Sequence, residues 1–466
     1  MRGAGEILLV ACYELGHQPS GIAVPKAFLE RAGYRPAALD LQVEPLDPER
    51  VRAARLVALS VPMHTALRLG LEAARRIRAL NPGAALCFHG LYAPLNAPLL
   101  RAAGAAAVLG GECEEELVAL AGALERGEPG GRFVQEGAAA ASLDRLDFPV
   151  PSREGLPPPA RYARLADASG ERLAGHAEAT RGCKHLCRHC PIPPLYRGRF
   201  FAVPAEVVEE DVARQVAAGV THVTFGDPDF LNGPTHALRV ARRIHRRFPA
   251  LTFDFTAKIS HLVAHRALLP ELRGLGGIFV VSALESLSDR VLERLDKGHT
   301  RADAFRAFAA CREAGLSLRP SLVPFTPWGT LEEYLELLET FDREGWREAL
   351  DPVQLSIRLL VPPGSLLLAA APVGAGQPPD DAFRPERLDE EALTWTWRHP
   401  DPRMDLLQRR VAQAVEEDAA DRRPAGESFD RVWQLALAAA GRPHRHVVAR
   451  PAPAAAPPRL TESWFC

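Results

Sequence analysis

Short apolar runs of three to six residues recur along the first part of the chain, at 7–11, 37–41, 56–61, 85–89 and 107–109. Between them, at 25–32, 67–80 and 114–125, apolar residues return every three or four positions. Runs without a polar face suit strands buried from both sides, and the 3.6-residue period suits amphipathic helices. The alternation predicts a doubly wound, Rossmann-like α/β domain over residues 1–128, with a ligand site at the carboxyl ends of its strands.

From 129 to 170 Gly, Pro and Ala dominate, with Glu128-Pro129-Gly130-Gly131 and Leu156-Pro157-Pro158-Pro159 as breakers, so this stretch reads as an inter-domain linker. Alternation then resumes. Runs at 176–178, 221–225, 252–256, 278–281, 317–323 and 353–357 mark six βα-type units over residues 171–368. Six units do not close an eightfold barrel; they predict a partial (β/α)6 TIM-type barrel, open on one side, with its site at the strand carboxyl ends. Beyond 368 the pattern weakens into a C-terminal helical region over 369–450, with helices at 404–418 and 429–440, and a Pro/Ala-rich tail over 451–466 that ends in Cys466.

At 466 residues, with 47% hydrophobic and 24% charged residues, the chain has the composition of a multi-domain globular protein. Lys and Arg number 56 against 58 acids, a net charge of -2, so no global field attracts nucleic acid or an anionic membrane, and a small-molecule substrate is expected. The apolar run 7–11 is too short for a signal-peptide core or a membrane span, which predicts a cytoplasmic protein. Eight cysteines are too sparse for a disulfide scaffold, yet three fall within eight residues, a crowding that in a reducing compartment points to metal.

That crowd is Arg181-Gly182-Cys183-Lys184-His185-Leu186-Cys187-Arg188-His189-Cys190-Pro191, a C-x3-C-x2-C spacing directly after the first strand of the second domain. Three thiolates on a 4Fe-4S cluster leave one iron without a protein ligand, which an exogenous amino acid can chelate. A structural zinc site, with His185 or His189 as fourth ligand, is the competing reading. The position after a strand and ahead of a run of βα units favours iron and sulfur.

The C-x3-C-x2-C motif, with Pro191-Ile192-Pro193-Pro194 and Tyr196-Arg197-Gly198-Arg199-Phe200 after it, resembles the radical SAM superfamily, and within it the group with an N-terminal cobalamin-binding-like domain. The likeness covers residues 1 to about 365. It implies an enzyme in which Cys183, Cys187 and Cys190 hold a 4Fe-4S cluster and S-adenosylmethionine binds the open iron. Reductive cleavage of a carbon-sulfur bond then starts radical chemistry, with electrons from a reductase, flavodoxin or ferredoxin. It also implies a glycine-rich turn at Phe225-Gly226-Asp227-Pro228-Asp229-Phe230, where Gly226 lets the backbone approach and Asp227 or Asp229 accepts from the cofactor's ammonium group. Glu285, with Ser282 nearby, takes the place of the family's ribose-binding segment, and His189 that of the adenine contact.

In the N-terminal domain, histidine-ligated cobalamin proteins carry D-x-H-x-x-G after the first strand; here Glu14-Leu15-Gly16-His17-Gln18-Pro19-Ser20-Gly21 puts His17 in that loop at a different spacing. Ser60, Gly90, Gly110 and Gly111 stand at strand ends where a corrin could approach, the alternative being a Rossmann-like domain without ligand. The terminal Trp464-Phe465-Cys466 is similar to the tails of the CUAEP/CCAEP radical SAM proteins, which implies that Cys466 is the first half of a Cys-Sec pair able to grip a soft element such as arsenic or selenium. Three activities stay open: alkylation, methylation or rearrangement of a small molecule, with or without cobalamin; aminocarboxypropyl transfer to arsenic or selenium; or a zinc or iron-sulfur regulatory protein.

Overall fold

The computed structural model describes residues 1–369, 383–444 and 457–462. In the N-terminal domain the strands β1 (Ile7–Ala11), β2 (Ala37–Asp40), β3 (Leu56–Ser60), β4 (Ala85–His89) and β5 (Ala107–Leu109) form one parallel sheet in the order β2-β1-β3-β4-β5. Both faces are covered, which is why the strands carry no polar alternation. Ile7 and Leu9 pack with Ile22, Leu29, Leu117 and Leu120 from the helices Ser20–Arg31 and Glu114–Glu125. Leu8 and Val10 face the other way, into a core with Leu67, Ala74 and Ile77 of the helix His64–Leu80.

The stretch 129–170 is packed chain that carries a strand of the second sheet, β6 (Arg164–Asp167), and Arg153 within it is buried against Asp211 at 2.7 Å. Next come β7 (Gly170–Ala177), a two-stranded ribbon of β8 (Thr180–Gly182) with β9 (Phe200–Ala202), and then β10 (His222–Phe225), β11 (Thr252–Thr256), β12 (Gly277–Glu285) and β13 (Ser317–Leu322). β7, β10, β11, β12 and β13 are parallel neighbours, and helices cover their outer face around one large apolar core. The helix Pro234–Arg247 shows the division: Leu238, Val240, Ala241 and Ile244 are buried, with arginines between them.

The expected strand at 353–357 is absent. Pro352–Leu355 is a 3-10 turn opened by Asp351, whose carboxylate accepts from Val353 N at 3.2 Å. Gln354 supplies the acceptor that a strand would have offered to Leu322 N, at 2.9 Å, and pairing is reduced to a bridge between Phe325 and Arg358. The barrel is thus open, and the helices Pro402–Ala420 and Ala425–Ala439 pack together beside the gap. A hairpin of β14 (Leu388–Asp389) with β15 (Thr394–Trp395) joins the cluster of Trp328, Leu359 and Trp397. β16 (Arg459–Leu460) pairs antiparallel with β6 at the far edge of the sheet. Among the described residues no helix is long and apolar enough to cross a membrane.

Candidate functional site: a cysteine loop facing an inter-domain cleft

The cysteine loop leaves β8 through Gly182, at φ +73°, where a Cβ would lie 2.3 Å from the Tyr196 ring and 2.7 Å from Arg199 O, so only glycine fits. Cys183 and Cys187 are buried, Cys190 is half-buried, and none of the three is in a disulfide. Burial pushes the Cys190 thiol up to about 12 and raises that of Cys183. Two buried lysines lie close by: Lys258 donates to Cys187 Sγ at 3.3 Å, and Lys297 is near enough to Cys187 and Cys190 to feel their charge. Thiols this buried ionise only when a metal takes the proton's place, and lysines beside them offset the remaining negative charge. The donor set therefore fits a thiolate-held iron-sulfur cluster.

At the end of β12 a register shift between Ala283 and Glu285 puts Glu285 at φ +63°, a strained conformation for a non-glycine residue. Its carboxylate accepts from Lys297 Nζ at 2.9 Å and meets His189 Nε2 at 3.2 Å. Burial raises the Glu285 carboxyl, but Lys297 and His189 outweigh it and hold the group well below the usual carboxylate range. Ser282 Oγ and His189 Nδ1 are buried without a hydrogen-bond partner. Gly226 stacks on His176, whose Nε2 would be 2.0 Å from an added Cβ. Asp227 is not turned toward a ligand: its oxygens accept from Thr180 Oγ1 at 2.5 Å and Ala179 N at 3.0 Å, tying β10 to β8, and burial pushes its carboxyl up to about 7.

Between the domains runs a cleft of about 240 Å³, with Ser60, Gly90 and Gly111 on one side and Gly182, Ile192 and Gly226 on the other. His89 also lines it, with Nε2 buried and unpartnered, and burial lowers its imidazole to about 4. Gly90 and Gly111 have φ of +113° and +74°, and a Cβ would press on the backbone of Val61 and Ser142 respectively. Gly110 packs under Pro94, and Cys466 lies outside the described residues. His17 does not line the cleft. It is buried and stacked on His176, with ring centroids 4.7 Å apart, and its imidazole is lowered to about 3 by burial and then by the neighbouring histidine. The cleft wall is acidic: Arg181 bonds Glu114 at 2.5 Å and Glu178 at 3.2 Å and lies 3.6 Å from Glu112. Sequence reasoning missed Lys258, Lys297, His89 and Arg181; the available signal was a polar residue immediately beyond an apolar strand, as in Thr256-Ala257-Lys258.

Residues 178–339, from the turn before the cysteine loop to the last barrel helix, match the model of the radical SAM superfamily. These residues form a radical SAM domain. Enzymes of this superfamily use a 4Fe-4S cluster and S-adenosylmethionine. Among curated proteins, a ribosomal protein uS12 methylthiotransferase RimO of Cereibacter sphaeroides is 26% identical over 215 residues, 43% of this chain and 45% of that protein. A tRNA-2-methylthio-N(6)-dimethylallyladenosine synthase of Deinococcus radiodurans is 25% identical over 245 residues, 47% of this chain and 44% of that protein. The chain spans about half the length of these relatives. Its fold is shared with two solved structures. The radical S-adenosylmethionine methyltransferase TsrM of Kitasatospora setae gives a TM-score of 0.58 at 19% identity, over 72% of this chain and 73% of that one. The cobalamin-dependent radical enzyme OxsB gives 0.64 at 15% identity, over 88% and 67%.

Proposed function

We propose that this radical SAM enzyme holds its cluster on Cys183, Cys187 and Cys190, seats S-adenosylmethionine among Glu285, Ser282, His189 and Gly226, and uses a cobalamin in the inter-domain cleft to alkylate or methylate a small molecule. The observation that carries the reading is the place of the cleft, bounded on one side by the strand ends at Ser60, Gly90 and Gly111 and on the other by Gly182 and Ile192, which flank the cysteine loop. A group bound there adjoins both domains. TsrM has been solved with cobalamin and a 4Fe-4S cluster, and OxsB with aqua-cobalamin and S-adenosylmethionine.

The cleft's lining fits a corrin approached without His17: small residues at three strand ends, and one orphaned imidazole nitrogen, His89 Nε2, able to ligate or hydrogen-bond. A corrin is larger than about 240 Å³, so the domains must part to admit it. When bound, the cluster and S-adenosylmethionine supply reductive carbon-sulfur cleavage and cobalamin supplies an alkyl carrier. The chain's own residues supply place and charge. Glu285, kept ionised by Lys297, accepts the ribose hydroxyls, while Lys258 and Lys297 offset the thiolates.

The cleft wall carries two acids, Glu114 and Glu178, around Arg181, which disfavours a polyanion and supports a small molecule over tRNA. Anaerobic reconstitution with iron and sulfide tests the reading. The expected result is iron-sulfur absorption, a cobalamin spectrum on the purified enzyme, and 5'-deoxyadenosine or an aminocarboxypropyl product upon reduction. A colourless, zinc-loaded protein refutes the cluster assignment, and a coloured enzyme that takes up no cobalamin refutes the carrier.

A further inference from the structure

Next to the cysteine loop a second set of donor atoms converges. His185, between Cys183 and Cys187, brings Nε2 to 3.1 Å from His261 Nε2 and 3.7 Å from Asp229 Oδ2. His261 Nδ1 lies 2.6 Å from that same oxygen. Among the described residues, His185, Asp229 and His261 form a group whose donor atoms all lie within 4.8 Å of one another. Three elements bring them together: the cysteine loop, the turn after β10, and the helix Ile259–Ala264 after β11. None of the three cluster cysteines is in the set.

Inside this set the two imidazoles are hydrogen-bonded to each other, but the contact between Asp229 and His261 is not a hydrogen bond. Asp229 Oδ1 accepts from Leu231 N at 3.0 Å and caps the short turn Phe230–Asn232, so that oxygen is accounted for. Asp229 Oδ2 and His261 Nδ1 are buried and in contact, yet the angle leaves each without a hydrogen-bond partner. A carboxylate oxygen and an imidazole nitrogen buried in this way are costly unless something else satisfies both. A metal ion does so, because it takes lone pairs that converge on one point instead of on each other. Lys184 and Lys258 lie near enough to His185 to oppose a cation; Asp229 supplies the counter-charge, and Lys258 is engaged by Cys187.

We propose that His185, Asp229 and His261 bind a divalent transition metal ion. Two imidazoles and one carboxylate suit zinc or iron(II), and three protein ligands leave room for solvent. The ion fastens the cysteine loop to the ends of β10 and β11 and so sets where the thiols stand. This site does not depend on cobalamin or on the substrate class.

The test uses the intact chain, reconstituted anaerobically with iron and sulfide, desalted, and titrated with Zn2+ against a competing chelator, with zinc and iron per chain measured by mass spectrometry. The expected result is one Zn2+ per chain beyond the cluster iron. His261→Ala and Asp229→Asn should each weaken it by about 100-fold while the iron-sulfur absorption persists. His265→Ala, whose ring lies 5.6 Å from that of His261 but is outside the set, should change it by less than about threefold. If His261→Ala fails to fold, the zinc-dependent rise in Tm decides, present in the native chain and lost in Asp229→Asn. Failure to retain zinc, equal retention in both variants, or release of zinc on adding S-adenosylmethionine overturns the proposal, the last by showing that the set belongs to that cofactor's pocket.

Discussion

At the barrel end of the site Glu285 is buried beside Lys297 and His189, while across the cleft Glu14 is half-buried with no cation bonded to it, answered by the Gly21 amide, at 3.1 Å, the Ser20 amide and the Ser60 hydroxyl, at 3.5 Å. The consequences are opposite. Glu285 is held well below the ordinary range, whereas enclosure pushes Glu14 up to about 8. Glu112, which shares Arg181 with two other glutamates, is raised by burial to about 7. One residue type thus gives a fixed negative charge at the barrel end and proton-holding carboxyls in the first domain, according to whether the cations beside it outweigh the cost of burial.

The comparison breaks hardest at the cysteines. Cys187→Ala should abolish iron-sulfur absorption and lower S-adenosylmethionine cleavage by about 1000-fold, read as product after reduction. Lys297→Met takes the ammonium from the buried Glu285, leaving it His189 alone, and should lower the stability of the cluster-free chain by about 3 kcal/mol in urea unfolding; the double change Lys297→Met, Glu285→Gln should recover most of it. At the cleft the sign reverses. Because the folded chain holds the Glu14 proton more tightly than the unfolded one, the stability it contributes is full below about pH 4.5 and is lost as pH rises through about 8. Urea unfolding from about pH 5 to about pH 8.5 should show that loss, and Glu14→Gln should flatten it by on the order of 2 kcal/mol. Smaller still, His89→Ala should weaken cobalamin uptake by about tenfold in visible absorption, and His17→Ala by less than about twofold, since only His89 lines the cleft.

Much of this frame was legible in the chain. The strand runs reappear as β1 to β5 and β10 to β13 because buried parallel strands must be apolar on both faces. The cysteine loop was visible because its three thiols are close in sequence as well as in space. What stayed hidden depends on neighbours far along the chain: Lys258 is 71 residues from Cys187, and His189 is 96 from Glu285. The misread strand at 353–357 fails for a related reason, since the side chain of Gln354 could replace a strand only once Leu322 lay beside it. The sequence puts His17 in the loop of histidine-ligated cobalamin proteins at a different spacing, but it does not show the stacking partner, His176, which sits in the other domain.

The short β16 has an outsized role for so few residues. It seals the outermost strand of the barrel sheet, and immediately after it Glu462 accepts from Tyr13 Oη at 3.0 Å, so the same segment staples the barrel to the first domain. Proteolytic removal of this segment would therefore uncover a bare row of amides and carbonyls on β6, inviting a neighbouring molecule to dock there, and would break the tie between Tyr13 and Glu462 at the same moment.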